Sequence, residues 1–346
     1  TDFKGIRGWK VQTLSSDPVA SLVGTGSWAS GGSTNNSREN CGSTGTQTSN
    51  LIFGGPSTSG QTESYNGTSW TEVNDLNTGR NTLGGAGASN TSALAFAGFN
   101  GSTYVTNNET WDGTSWTETT DMNTARYAGG STGTQTSAIF AGGYSTTVIT
   151  NTEVWNGSSW TEVAEFNDSR YQATGIGHDS EAVLLVGGGT PTSASAEKYN
   201  GTSWTEVSDI NTARNKGGGS GTDILSLFYS GVVSSTGSGL TEAWDNSSWT
   251  EVADMAAGRA GSGDSNTGTQ SAALVSTGNK EPGIVTDTEE FTITATTFSK
   301  LNLGQVYFNS TANAFKVTEQ PVPGGTWASG TNLPSTRYAT GASGIQ

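Results

Sequence analysis

Tyr65-Asn66-Gly67-Thr68-Ser69-Trp70, Trp111-Asp112-Gly113-Thr114-Ser115-Trp116, Trp155-Asn156-Gly157-Ser158-Ser159-Trp160, Tyr199-Asn200-Gly201-Thr202-Ser203-Trp204 and Trp244-Asp245-Asn246-Ser247-Ser248-Trp249 are five versions of one hexapeptide. Their final tryptophans lie 46, 44, 44 and 45 residues apart. A strand-rich unit that repeats every 40 to 50 residues or so is the mark of propeller blades. The residues between Trp116 and Trp160 show how one unit is built. Trp116-Thr117-Glu118-Thr119 alternates apolar and polar, as a half-exposed strand does. Asp121 to Arg126 is a connection, Tyr127 to Gly133 a strand of small residues, and Ser137 to Ala141 an apolar strand running into Gly142-Gly143. A variable loop follows, then Thr152 to Trp155, and Asn156-Gly157 reads as a tight type I′ hairpin turn.

This reading predicts an all-β protein, a β-propeller of four-stranded antiparallel blades. The units fall at 29–70, 71–116, 117–160, 161–204, 205–249 and 250–298. Small residues on the first strand, as in Gly84-Gly85-Ala86-Gly87 and Gly217-Gly218-Gly219-Ser220, fit strands crowded round an axis. The sixth unit is degenerate, with Phe298 where a tryptophan is expected. Gly26-Ser27-Trp28-Ala29-Ser30-Gly31 returns near the end as Gly325-Thr326-Trp327-Ala328-Ser329-Gly330. Six blades are expected by count. Whether the ends share a seventh or a second propeller begins is left open. The expected organisation is an extended segment over 1–27, the propeller over 28–300, and a hairpin with a partial further blade over 301–346, the hairpin turning near Ser310–Asn313. The chain starts at Thr1 without Met, which suggests processing or an incomplete sequence.

Composition follows the repeat. The net charge is −15, which disfavours nucleic acid as a partner. Sixteen of the 30 acidic residues recur at three positions of the unit: the Glu63, Glu109, Glu153, Glu197, Glu242 and Glu289 series, the Glu72, Glu118, Glu162, Glu206 and Glu251 series, and Asp75, Asp121, Glu165, Asp209 and Asp254. The acidity therefore reads as duplication, a dedicated cation or polycation site being the alternative. Arg38, Arg80, Arg126, Arg170, Arg214, Arg259 and Arg337 occupy one place per unit. A residue present in every copy is expected to hold the ring by pairing with the Glu63 series or with carbonyls, because a binding site should break the symmetry. Trp70, Trp116, Trp160, Trp204 and Trp249 are assigned to the scaffold on the same ground. No apolar run approaches the roughly 20 residues that span a bilayer.

The order of Gly-Gly, then Glu-x-Tyr/Trp, then Trp resembles kelch repeats, over about residues 28–300, with Ala97-Gly98 and Ser230-Gly231 departing from Gly-Gly. The resemblance implies a propeller. The stretch Gly304 to Thr311 with Phe315-Lys316, and the Asn-Gly-Thr-Ser-Trp-Thr-Glu repeats, look like segments of kelch-like virion and tail-fibre proteins of marine tailed bacteriophages. That implies a non-enzymatic structural or adhesive protein at a virion surface or outside the cell, part of a larger assembly. Its partners would be neighbouring virion subunits or host glycans. The alternatives are a secreted or cell-surface bacterial carbohydrate-binding propeller, and a hydrolase with a degenerate site.

No metal and no cofactor is expected. His178 is the only histidine, placed in a turn between the first and second strands, and Cys41 is the only cysteine, aligned with Leu83, Gly129, Ala173 and Gly217. One histidine cannot supply a multi-histidine metal site, and this removes the copper chemistry of galactose oxidase, which uses a kelch-type propeller. The sequons at Asn66, Asn156, Asn200 and Asn246 coincide with the hairpin turn, whose chemistry explains them. The remaining candidates are the loops after the second strand, at 56–62, 99–107, 144–151, 190–196 and 232–240, which vary on a constant scaffold. Phe99, Asn100, Tyr104 and Tyr144 offer aromatic and amide groups suited to a sugar or a protein.

Overall fold

A computed structural model describes residues 26–189 and 191–293, and the backbone of 12–14, 306–309 and 314–317. The chain divides into two compact units, Ser21–Thr296 and a second built from Thr1–Ala20 with Thr297–Gln346. In the second unit, Val306–Asn309 and Ala314–Val317 pair antiparallel, and Gln12–Leu14 joins the first of them in parallel. The turn expected at Ser310–Asn313, and Phe298, Trp327 and Arg337, lie outside the described residues.

The larger unit is a six-bladed β-propeller. Blade 1 comprises Gly42–Thr46, Ser49–Phe53, Thr62–Tyr65 and Trp70–Val73. Blades 2 to 5 repeat this meander from Gly84, Gly130, Thr174 and Gly218. Blade 6 takes three strands from the end of the unit, Gly263–Asp264, Ala272–Ser276 and Thr288–Ile293. Its outermost strand is Gly26–Ser30 from the beginning. Trp28 pairs with Phe291 as Trp70 pairs with Tyr65 and Trp116 with Trp111. One expectation is corrected, since the place given to Phe298 belongs to Trp28. The six blades expected by count are those observed, and the sixth is shared between the two ends of the unit.

Each blade is amphipathic in a way its sequence dictates. The second strand is buried along most or all of its length, as in Val183–Val186, while in blades 1 to 5 the outermost strand buries its tryptophan and turns its Thr-Glu outward. The outer acidic series therefore lies in solvent. Blades stack through apolar clusters such as Phe96, Phe140 and Trp160. The tryptophan indoles also reach the preceding blade: Trp116 donates to Thr62, Trp70 to Thr288 and Trp28 to Thr241, at 3.0–3.2 Å.

Two closed circuits of backbone hydrogen bonds tie the blades together. In the inner one Asn40, Thr82, Ala128, Gln172, Lys216 and Gly261 each donate an N–H to the carbonyl of the member before, and Asn40 donates to Gly261, over 2.6–3.1 Å. All six have positive φ, which turns the peptide toward the axis. In the outer circuit the second residue of each Gly-Gly pair donates to the carbonyl of the next blade's arginine. It runs from Gly55 to Arg80, through Gly98, Gly143, Gly188 and Gly231, and ends with Gly278 to Arg38. Both residues of these pairs adopt positive φ, including Ala97, Ser230 and Thr277 where glycine is replaced. The conformation, and not the glycine alone, is thus what the repeat retains.

The hairpin hexapeptide is not a type I′ turn. Tyr65 pairs with Trp70 across a four-residue loop in which Gly67 has positive φ and Asn66 does not. The Asn66 carboxamide oxygen accepts the N–H groups of Thr68 and Ser69, and Asp112 does the same for Thr114 and Ser115. That shared acceptor explains why Asn and Asp alternate at this position.

Candidate functional site

The repeated arginines are buried and each meets the glutamate of its own unit. Arg38 reaches Glu63 at 2.6 Å, Arg80 Glu109 at 2.7 Å, Arg126 Glu153 and Arg214 Glu242 at 2.5 Å, Arg170 Glu197 at 3.1 Å, and Arg259 contacts Glu289. The other carboxylate oxygen is taken by the connecting loop. Asn77 gives Glu109 both its N–H and its side-chain amide, and Asn35, Asn123, Asn167 and Asn211 do the same in their blades. These charges neutralise one another in pairs, the Arg170–Glu197 pair through charge alone, without a hydrogen bond. They build the end of the ring at which the blades connect, and leave no anion site.

At that same end lies the mouth of an axial cavity. Its rim is the inner circuit from Asn40 to Gly261, and its neck the next residue of each blade: Cys41, Leu83, Gly129, Ala173, Gly217 and Ser262. Below the neck is a polar chamber of about 120 Å³. The sixth blade makes its floor. Its inner strand ends at Asp264, and Asn266, Thr267 and Gly268 cross the axis instead of continuing the sheet. Asn266 bonds to Thr44 and Gly85, Thr267 to Gly45 and Gly87, and the Gly268 carbonyl accepts from His178 Nε2 at 2.8 Å. These partners belong to blades 1, 2 and 4, so a segment of blade 6 touching them must lie on the axis. The channel is therefore blind.

His178 occupies the turn between the first two strands of blade 4, exposed, and its described contact is with this plug. Cys41 stands in the neck, where burial pushes its thiol up, and its Sγ lies 4.0 Å from the Thr277 hydroxyl. The two residues face opposite ends of the channel and form no catalytic pair. Asp264 points into the chamber. Ser43 donates to its Oδ1 at 2.7 Å and Gly219 N–H to its Oδ2 at 2.9 Å. Burial, only partly offset by these hydrogen bonds, pushes this carboxyl up to about 6.

Beside the mouth, blades 2 to 4 carry a cluster of half-buried aromatic rings. Tyr104 stacks on Tyr127 with centroids 4.8 Å apart and lies 5.8 Å from Phe99 and 6.1 Å from Tyr144. Tyr144 in turn is 5.7 Å from Tyr127 and 6.2 Å from Tyr171. Burial, reinforced by the neighbouring phenols, pushes the Tyr127 hydroxyl up. The backbone holds these rings in place, since Tyr127 and Tyr144 exchange N–H···O bonds at 3.1 and 2.9 Å, and Asn81 and Phe99 exchange a pair at 2.9 Å. Of the four loop residues expected to bind, Phe99, Tyr104 and Tyr144 come together here. Asn100 does not join them; its carboxamide oxygen accepts from Ser102 and Thr103 inside its own loop.

Tyr127, Tyr171 and Asp264 are the residues that sequence reasoning missed. Tyr127 and Tyr171 follow the repeated arginines, at a position that reads Glu39, Asn81, Tyr127, Tyr171, Asn215 and Ala260 round the ring. That break in symmetry is the signal that could have found them. Asp264 stands where the other blades have Ser43, Gly85, Ser131, Gly175 and Gly219.

No protein-family profile matches the chain, and no curated protein matches it. Among solved structures, the propeller YjhT aligns with a TM-score of 0.64 and 12% identity, over 76% of this chain and 97% of that one. At that identity the likeness shows the fold alone.

Proposed function

We propose that this chain is a non-catalytic recognition propeller that binds carbohydrate on the face carrying the axial mouth. The observation that carries the reading is the five-ring cluster of Phe99, Tyr104, Tyr127, Tyr144 and Tyr171 beside a polar cavity. Tyrosine joins an apolar ring to a hydroxyl, which suits the apolar face and polar rim of a sugar. The rings are anchored by backbone pairing, so little ordering is needed on binding. The cavity offers no nucleophile–base pair and a single carboxylate, a poor endowment for hydrolysis.

The finer identity we propose is a kelch-type repeat, supported by the Gly-Gly, Glu, Tyr/Trp and Trp order that recurs from blade to blade. Its setting would be the surface of a tailed-phage virion, where it serves as a structural or adhesive subunit among neighbouring subunits. The hairpin sequence Gly304 to Lys316 and the Asn-Gly-Thr-Ser-Trp-Thr-Glu copies support that setting. A glycan array probed with the wild type, with Tyr104→Ala/Tyr127→Ala and with Asn100→Ala tests the binding claim. Loss of signal in the tyrosine variant, with Asn100→Ala unaffected, is the expected result. Equal signal in all three proteins, or none in the wild type, overturns it. Mass spectrometry of purified virions carrying the gene tests the setting, and absence of the chain from the particles removes it.

A further inference from the structure

The buried carboxylates of this ring follow one rule with one exception. Six glutamates each carry an arginine. Asp264, half-buried and open toward the chamber, has a hydroxyl and an N–H as partners and forms no ion pair among the described residues. It is also the only charged side chain lining the chamber. A carboxylate held out of bulk water without a cation is unfavourable unless something compensates it. Its two bonds leave acceptor positions vacant, since an ionised carboxylate offers about four.

From this geometry we propose that the axial chamber receives a primary ammonium group, which enters through the mouth and pairs with the Asp264 carboxylate. One negative charge calls for one positive charge. Calcium and magnesium favour sets of about six or more oxygens, usually with several carboxylates, and no group of three or more metal-ligating side chains occurs among the described residues. An ammonium group instead brings three donors to a chamber whose hydroxyls and strand edges accept. The plug at Asn266–Gly268 stops the ligand, so the charge must sit at the end of a stem. The carboxylate level is three residues beneath the rim, about 10 Å at some 3.3 Å per residue. Both a sugar bearing an aminoalkyl arm and a lysine side chain present such a group. The inference does not rest on sugar stacking by the tyrosines, and the two sites fail separately.

The test is titration of the intact chain with methylammonium chloride against sodium, potassium and tetramethylammonium chlorides at equal ionic strength, followed by amide NMR shifts. Methylammonium is expected to move the Ser43, Gly219 and Asp264 signals saturably, with the other salts at least tenfold weaker, and Asp264→Asn to abolish the effect. Because those shifts are read in the wild type, the outcome stands even if the variant folds poorly. Binding should fade as pH falls through about 6 and the carboxyl protonates. The other titratable groups facing it are Cys41 and Tyr229, both held in their neutral forms by burial, with Lys216 at the mouth. Separate arms with 2-aminoethyl glucoside and Nα-acetyl-lysine then identify the stem that the chamber accepts. Equal shifts with every salt, preference for potassium, or shifts confined to the outer strands would overturn the proposal. Saturating methylammonium should leave neutral-glycan binding by the wild type unchanged, which separates this site from the tyrosine cluster.

Discussion

At the scale of single residues, the ring is held by charges that the solvent does not see. Arg126 and Glu153 are both buried, and the pair is completed by Asn123, the carbonyl of Phe140 and the carbonyl of Thr124. Removing one partner leaves the other uncompensated. Glu153→Gln or Arg126→Ala should therefore lose about 3–5 kcal/mol in urea unfolding, whereas replacing exposed Glu162 should change stability by less than about 0.5 kcal/mol. Asp264 behaves in the opposite sense. Its folded value, about 6, lies above the ordinary 3.8, so the folded chain holds the proton more tightly than the unfolded chain. Its contribution is most favourable below about pH 4 and is lost as pH rises through 6. A displacement of that size corresponds to on the order of 3 kcal/mol, lessened because Asp264 is only half-buried. Between pH 4 and 7, stability of the wild type should fall relative to Asp264→Asn by about 2 kcal/mol; parallel pH profiles would refute this.

At the scale of strands and loops, the sequence was legible wherever a residue repeats. The Trp, Glu, Arg and Gly-Gly positions give six units and their strand order, because each is set by a local requirement met anew in every blade. The closing strand was harder to read. Trp28 is separated from Phe291 by most of the chain, and nothing local says that Gly26–Ser30 completes blade 6. Its fit is visible only in three dimensions: a Cβ at Gly26 would lie 2.0 Å from the Phe291 ring, and Trp28 packs on Phe291 and Tyr229. Trp28→Ala should cost about 3 kcal/mol and raise hydrogen exchange first in Thr288–Ile293, the strand it covers. Protection lost uniformly over all blades would argue against a distinct closing strand. The plug was hidden for a related reason. Ser265-Asn266-Thr267-Gly268 reads as another small-residue strand, and only bonds to blades 1, 2 and 4 reveal that it leaves the sheet. Tyr127 reads as the first residue of the small-residue strand, whereas the strand starts at Gly130 and both Tyr127 and Tyr171 lie in connecting segments, which loop variation at Phe99, Tyr104 and Tyr144 does not point to.

At the scale of the whole molecule, the repeat makes one end of the ring uniform in backbone and varied in side chain. Two hydrogen-bond circuits fix that end, and the residues that differ between blades stand on it: five aromatic rings over blades 2 to 4, Lys216 on blade 5, and the carboxylate of blade 6 beneath. This division of labour, with repeated residues holding the scaffold and unrepeated ones meeting a ligand, is the central claim. The most direct test is a crystal structure of the intact chain soaked with the strongest glycan from the array. The account predicts a sugar ring against Tyr104 and Tyr127 at the rim of the axial mouth. A sugar bound on the outer strands of the blades, or at the plugged end near His178, would contradict it.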